Sequence, residues 1–222
     1  LIDARCTILP YSGIARWTLS LIDFLVTSDF EKITIHVHTD CKAINHPLNW
    51  YFEDLQKLEK VRIVHSDKNP FSINLFYAIN KDESSDIIIY PHYDLPIYFP
   101  WTFGKRICVI HDLMPLVLND YIRNKKLLKK IYFYLRLVFS SRMADDIICV
   151  SHSTKSDLLR YVPSAAGKVQ VCYPGLNRVC NQADENIQYR LPTKYNLYIG
   201  DRRPHKNLKR LLRLHLILWK HH

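Results

Sequence analysis

The chain has 222 residues, 48% of them hydrophobic, and a formal net charge of +10. This length and apolar content suit one large domain, or one and a half smaller ones, with a packed core. The sequence holds no apolar run of about 18 residues, which argues against a membrane-spanning helix. The positive charge indicates an anionic partner such as nucleic acid, anionic lipid or a phosphorylated substrate. Nucleic-acid-binding motifs do not stand out, so no nucleic-acid partner is expected.

The six cysteines include no CxxC pair and have no histidine at zinc spacing. Cys108, Cys149 and Cys172 lie inside apolar runs that resemble strands. This usage predicts buried free thiols rather than disulfides or a metal centre.

Strand-like and helix-like segments alternate along most of the chain. The predicted strands are residues 1–6, 32–38, 61–65, 86–90, 106–110, 146–150 and 168–173. The predicted helices are residues 13–28, 50–58, 71–81, 123–143 and 153–162. This alternation predicts an α/β fold with a parallel sheet that helices cover on both faces.

The segment Tyr198–Asn207, YIGDRRPHKN, ends a predicted strand (195–199), turns at Gly200 and enters a helical pattern at Lys206. The first N–H groups of a helix lack internal partners and favour anions. Arg203 and Lys206 suit a diphosphate bound at that helix end. A basic helix start without a ligand is the alternative. The chain stops soon afterwards, so the domain that this segment opens is expected to be incomplete.

In parallel sheets, ligands bind beyond the carboxyl ends of the strands. That rule selects a set of positions without any catalytic motif. The set comprises Ser12, Gly13, His92, His111, Asp112, Ser151 and Gly200. We expect all of them to lie along one edge of the sheet.

His111 and Asp112 directly follow a buried strand, where a polar pair is costly unless it is used or hydrogen-bonded. A histidine can donate to a sugar hydroxyl or accept its proton near neutral pH. The two residues are therefore candidate catalytic residues. The alternative is a structural pair that caps the next turn.

Ser12 and Gly13 place a small, flexible turn at a helix start, which allows close approach of a phosphate or sugar. An ordinary helix start is the alternative. His92 lies in a loop with Tyr93 and Pro96. There it either lines an acceptor pocket or is a surface histidine. Ser151 has the character of a helix cap.

The predicted helix 123–143 has seven basic residues and no acidic one. Leu128, Ile131 and Leu135 fall on one side of it. Basic residues gathered elsewhere on the helix are Lys126, Lys129 and Lys130. A basic amphipathic helix of this kind can lie on an anionic membrane surface. The alternative is an ordinary core helix with a solvated face.

Several segments, in this order, resemble glycosyltransferase family 4, whose members have the GT-B fold. They read IDAR and SGIAR, VIHDLMPL, ADDIICVSHSTKSDLLRYV, VQVCYPGLN and YNLYIGDRRPHKNLKRLL. Singly they are modest signals, but together they are specific and span nearly the whole chain, with residues 31–86 matching least. The chain resembles the members that build bacterial surface polysaccharide, such as lipopolysaccharide, with mannose or related sugars.

The resemblance implies two Rossmann-like domains across a cleft, an acceptor-binding N-terminal one and a C-terminal one that binds a nucleotide-sugar. It also implies a retaining reaction that needs no metal and no cofactor. On this basis residues 1–176 form the N-terminal domain and 177–193 a linker. Residues 194–222 then form only the first strand and helix of the second domain.

The resemblance further implies roles for single residues. Gly13 would lie near the donor phosphate, His111 would contact the transferred sugar, and Arg203 with Lys206 would neutralise the leaving diphosphate. Ser12 and His92 would lie on the acceptor side. Ala15 departs from the family, which usually has a second glycine there, and the family's downstream glutamate pair cannot be placed.

The implied function is transfer of a mannose-type hexose from a nucleotide-diphosphate sugar to a lipid-linked or oligosaccharide acceptor, at the cytoplasmic face of the membrane. Because most of the second domain is missing, the chain alone is expected not to transfer sugar. The alternative is a truncated, non-catalytic membrane-surface or scaffold module of the same fold.

Overall fold

The computed structural model describes residues 1–67, 85–95, 104–118, 126–175, 195–200, 202 and 206–219. The predicted helix 71–81, the predicted linker 177–193 and Arg203 lie outside these ranges, as does the side chain of Lys126. Nothing below concerns their structure.

Within the described part, seven strands form one parallel sheet in the order β3-β2-β1-β4-β5-β6-β7. The strands are β1 (Ile2–Asp3), β2 (Ile33–His38), β3 (Val61–Ser66), β4 (Ile87–Tyr90), β5 (Lys105–Ile110), β6 (Asp146–Cys149) and β7 (Val169–Val171). In the pairing of β2 with β3, Ile33 lies opposite Val61. In that of β4 with β5, Ile87 lies opposite Lys105. The predicted parallel α/β architecture is confirmed, and it is Rossmann-like.

Helices connect and flank these strands. They are α1 (Gly13–Thr27), α2 (Asn49–Gln56), α3 (Met114–Val117), α4 (Lys126–Met143), α5 (His152–Tyr161) and α6 (Leu208–Trp219). Serine caps fix two of the starts. The Ser12 Oγ accepts the Ala15 N–H at 3.1 Å, and the Ser151 Oγ accepts the Thr154 N–H at 3.0 Å. Each cap satisfies a backbone donor that the helix cannot satisfy internally.

Three predicted strands differ from the structure. The first ends at Asp3, because residues Arg5–Ile8 form a 3₁₀ turn in which the Thr7 hydroxyl donates to the Ala4 carbonyl at 2.6 Å. The last strand of the sheet is only Val169–Val171. Residues 195–199 form no strand with the part of the chain that the structure describes, since an extended segment needs a neighbouring strand to complete its ladder.

Two apolar cores pack against the sheet. The first lies on β1, β2 and β3, where α1 and α2 bury Leu19, Ile22 and Phe52. The second lies on β4 to β7, where α4 and α5 bury Leu137 and Leu158. The joint between the cores runs along β1 and β4, where Ile2 and Ile89 are partners.

The cysteines Cys6, Cys41, Cys108 and Cys149 are buried free thiols, as predicted. Burial raises the pKa of the Cys6 thiol to about 12 and that of Cys149 to about 11, so both stay protonated. Cys172, also free, is exposed because β7 ends before it, so the burial expected there is wrong.

Candidate active site at the carboxyl edge of the sheet

The carboxyl ends of β1, β4, β5 and β6 are neighbours, so the residues that follow these strands share one edge. The strand order reverses at this place. The chain proceeds from β1 outward to β2 and β3 and then returns to place β4 on the other side of β1. A crevice outside such a switch point is where ligands bind in open α/β sheets.

The start of α1 and the end of β5 meet at this edge. The rings of Trp17 and His111 are perpendicular, with centroids 5.6 Å apart. Trp17 lies about one turn into α1 from Gly13. The Gly13 turn and His111 therefore lie on the same side of the molecule, as the sequence predicts.

His111 is held in a single orientation. Its Nε2 lies 2.8 Å from the Pro91 carbonyl oxygen, and its own carbonyl accepts the Thr154 hydroxyl at 3.0 Å. A carbonyl only accepts, so Nε2 carries hydrogen and Nδ1 is left as an acceptor in the neutral ring. Burial lowers the pKa of His111, against a smaller opposing effect of the Pro91 carbonyl and Asp112. The ring is consequently neutral near pH 7.

Asp112 is exposed, and its Oδ1 accepts the Met114 N–H at 3.2 Å. This contact is the turn-capping one that the sequence offered as the alternative. The catalytic role of Asp112 stays a prediction.

His92 is 3% exposed. Both sequence interpretations, an acceptor contact and a surface histidine, expect an exposed ring. The loop after β4 instead turns inward, where the His92 Nδ1 accepts the Asp94 N–H at 3.1 Å. Burial lowers the pKa of His92, although the Asp3 and Asp94 carboxylates oppose that shift.

A buried ion pair lies beside His92 and was not selected from the sequence as a site. The Arg5 Nε and Nη2 donate to the two carboxylate oxygens of Asp3, each at 2.7 Å. Burial alone would raise the pKa of Asp3, but Arg5 and His92 outweigh it and hold that pKa below its usual value. The His92 Nε2 lies 3.9 Å from the Asp3 Oδ2. Charged residues at the end of a buried strand were the signal available in the sequence.

Gly13 is the first residue of α1, and among the described atoms none lies within 4 Å of where a Cβ would be. Packing therefore does not require glycine there. The open space is suited to a group that approaches the first N–H groups of the helix.

The segment before α6 is described only in part. Gly200 has a φ of 154°, a conformation that favours glycine, and Asn207 has a φ of 52° just before the helix. Lys206 is exposed. Arg203 lies outside the described residues, so the predicted pairing of the two cations at a diphosphate stays a prediction.

The loop after β4 is also tied to α4. The Arg136 Nε donates to the Asp94 Oδ1 at 2.6 Å, and its Nη2 contacts the same oxygen and the Leu95 carbonyl. The Ser140 hydroxyl accepts the Leu95 N–H at 3.2 Å. These buried contacts fix the helix against the candidate site.

The opposite face of α4 is apolar and open to solvent. Leu128 is 78% exposed, Leu135 60% and Ile131 44%, whereas Phe133 and Leu137 face the core. The stripe predicted from the sequence is therefore not a core face. Among the described helices, none is long and apolar enough to cross a membrane.

The predicted membrane-binding lysines do not share that outer face. Lys129 is exposed, but Lys130 is half-buried because it precedes Phe133 by about one turn on the inward side. The side chain of Lys126 is outside the described part. Contact of these three lysines with a membrane stays a prediction. No group of three His, Cys, Asp or Glu side chains that could hold a metal occurs among the residues described.

Comparison with known proteins adds to this geometry. Two serotype-specific mannosyltransferases WbdA from Escherichia coli are each 26% identical to this chain over 127 residues, or 54% of the chain. The matched segment covers only 15% and 14% of those two proteins. No solved structure matches significantly. The model of Glycosyltransferase Family 4 matches residues 11–178, which include the α1 start, His111 and Ser151. The chain belongs to glycosyltransferase family 4.

Proposed function

We propose that this chain is the acceptor-side part, with the start of the donor-side part, of a retaining glycosyltransferase. The enzyme transfers a mannose-type hexose from a nucleotide-diphosphate sugar to a lipid-linked or oligosaccharide acceptor. Residues 1–176 form the acceptor-side domain, 177–193 the linker and 194–222 the beginning of the donor-side domain. Family membership and the similarity to two mannosyltransferases support this function.

The contact between Trp17 and His111 carries the proposal, because it joins a helix start to a neutral histidine. The first N–H groups of α1 and the open space at Gly13 suit the donor phosphates. The His111 Nδ1 then accepts a hydrogen bond from a hydroxyl of the transferred sugar. Asp112 shapes the turn after His111, and Ser12 lies on the acceptor side of the same edge.

In this proposal Arg203 and Lys206 neutralise the diphosphate as it leaves, so that no metal is required. Stabilisation of charge that develops in the transition state is commonly the largest catalytic contribution of a site. Lys206 is exposed and therefore accessible to a ligand.

The test is a transfer assay on the longest natural polypeptide that contains residues 1–222, with labelled hexose on GDP and UDP and a lipid-linked acceptor. We expect His111→Ala to lower kcat by about 10- to 10²-fold, and by more than it raises KM, because one hydrogen bond to the transferred sugar is lost. We expect Arg203→Ala to raise KM for the donor. Asp145→Ala, at the opposite edge of the sheet, is the control and should leave both constants unchanged. An unchanged kcat in His111→Ala would remove this residue from the mechanism.

Residues 1–222 alone are expected not to transfer sugar, because they hold only the start of the donor-side domain. Turnover by these residues with any nucleotide-sugar would refute that expectation. The anomeric configuration of the product of the transfer assay, followed by NMR, tests retention.

A second function is favoured by the exposed leucines of α4. In this alternative the chain is a non-catalytic module at an anionic membrane surface, with Leu128 and Leu135 in the interfacial region. Replacement of both leucines by glutamine should lower partition onto anionic vesicles by about 10²-fold or more, since each buried leucine contributes about 1.5–3 kcal/mol. Phe24→Gln, on the exposed face of α1, is the matched control. Vesicle binding without nucleotide-sugar binding would favour this alternative over the transferase.

A further inference from the structure

The carboxyl edge of β1 carries the buried ion pair between Asp3 and Arg5, which the proposed reaction does not use directly. Both residues are buried, at 1% and 3% exposure. A buried ion pair is weak support for stability, because desolvation of the two charges offsets their attraction. Its place next to the candidate site therefore calls for a different explanation.

The ion pair lies beside the loop that follows β4, which contains His92 and contacts His111 through the Pro91 carbonyl. The Asp3 Oδ2 lies 3.9 Å from the Nε2 of His92. Because the Nδ1 of His92 accepts the Asp94 N–H, Nε2 carries the hydrogen in the neutral ring. The distance of 3.9 Å is longer than a hydrogen bond, so the attraction between this N–H and the Asp3 carboxylate is electrostatic.

The backbone of the same loop provides the partner of His111. Pro91 is buried between Tyr90 and His92, and its carbonyl oxygen lies 2.8 Å from the His111 Nε2. The His92 carbonyl accepts the Cys108 thiol at 3.6 Å, which ties the loop to β5. The Pro91 carbonyl is thus only one residue away from the His92 side chain, which lies beside the ion pair.

We propose that Asp3 and Arg5 are positioning residues, which anchor His92 and thereby hold the Pro91 carbonyl where it fixes the orientation and the Nε2–H tautomer of His111. The sequence of contacts runs from Arg5 through Asp3 and His92 to Pro91 and His111. This inference rests on the proposed function, in which the His111 Nδ1 accepts a hydrogen bond from the sugar. The orientation of the His111 ring itself does not depend on which reaction takes place at that edge.

The test uses residues 1–222 labelled with ¹⁵N and long-range ¹H–¹⁵N spectra of the histidine rings near neutral pH. The signals of His111 and His92 are assigned with His111→Gln and His92→Gln. In the unsubstituted chain, His111 should show a protonated Nε2 and an unprotonated Nδ1. An unprotonated Nε2 on His111 would contradict the bond to Pro91 and overturn the proposal without any variant.

In Asp3→Asn the carboxylate charge is lost while the shape is kept. We expect the His111 nitrogen signals to move towards each other, which marks a mixture of tautomers. Asp145→Asn is the matched control, since Asp145 binds Arg106 with the same two-bond geometry at the other edge of the sheet. The control should keep the single tautomer.

The double variant Asp3→Leu, Arg5→Met covers the case in which Asp3→Asn does not fold, because it removes both charges and keeps the buried volume. It should also lose the single tautomer, while the far-UV circular dichroism stays that of the unsubstituted chain. A folded variant without the pair that retains the Nε2–H tautomer overturns the positioning role. Because no readout uses sugar transfer, failure of the proposed reaction would leave this result interpretable.

Discussion

The two edges of the sheet each have an Arg–Asp pair with two side-chain hydrogen bonds, but in opposite surroundings. At the amino edge, the side chains of Arg106 and Asp145 are 25% and 40% exposed. Asp145 also accepts the Arg106 backbone N–H at 2.8 Å, so this pair connects the starts of β5 and β6. At the carboxyl edge, the pair of Arg5 and Asp3 is buried and faces a histidine.

A glycine at each edge shows the same contrast. A Cβ on Gly104, at the amino edge, would lie 2.1 Å from the Ser85 carbonyl oxygen, so packing requires glycine. A Cβ on Gly13, at the carboxyl edge, would meet no described atom within 4 Å. Packing therefore explains the glycine at position 104. Packing does not explain the glycine at position 13, and we propose that the approach of a ligand does.

The largest expected effect separates the two ion pairs. Asp3→Ala leaves the Arg5 guanidinium buried without this carboxylate, and should lower the free energy of unfolding by about 3–5 kcal/mol. Asp145→Ala, at a partly exposed pair, should cost about 1 kcal/mol or less. Urea unfolding of both variants measures the difference. Equal costs would mean that burial does not distinguish the pairs.

The sequence was sufficient for the sheet and for part of the site. Continuous apolar runs such as Ile87–Tyr90 indicate strands buried on both faces. The rule that ligands bind beyond the carboxyl ends of parallel strands predicts that Gly13 and His111 lie at one edge, as they do. The contact of Asp3 with His92 was not predictable. It depends on β1 and β4 being neighbours, and the two strands are separated by much of the chain.

The local sequence can also fit two different roles for the same polar side chain. Asp112 can serve a catalytic site or cap a turn, and the spacing in the sequence is the same for both. The structure shows the capping contact with Met114. Residues 195–199 have strand-forming side chains, but a strand needs a neighbour, and that requirement is not contained in the segment itself.

Replacement of Gly104 or Gly13 by alanine should affect stability to different degrees. Gly104→Ala should destabilise the protein by about 1–3 kcal/mol, since the new methyl group overlaps the Ser85 carbonyl and crowds Ile88. Gly13→Ala should change stability by no more than about 0.5 kcal/mol. Thermal unfolding tests both. A large loss in Gly13→Ala would show that the fold itself requires this glycine.

The smallest expected effect is the dependence on pH. Burial holds the pKa of His92 and of His111 below the ordinary value of 6.5. Below pH 6.5 the unfolded chain binds more protons at these two histidines than the folded chain does. Their contribution to the free energy of unfolding is therefore complete above pH 6.5 and is lost as the pH falls. The urea midpoint should therefore be lower at about pH 5.5 than at about pH 7.5, and less so in His92→Gln.

Asp145→Asn is the control from the amino edge, because the pKa of Asp145 is held below its ordinary value of 3.8 and lies outside this range. It should leave the pH dependence of the unsubstituted protein unchanged. If His92→Gln and His111→Gln combined retain the full fall in midpoint, other groups cause it.

Trp17 and His111 meet where the two apolar cores adjoin, and each belongs to an element packed on a different core. A molecule bound beside this ring contact, against both Trp17 and His111, would touch both cores' elements at once. Because the molecule then contacts elements of both cores, local unfolding of either core requires its release, and its binding free energy stabilises both. Amide hydrogen exchange in α1 and in β5 should accordingly slow by the same factor when a ligand is bound beside Trp17 and His111.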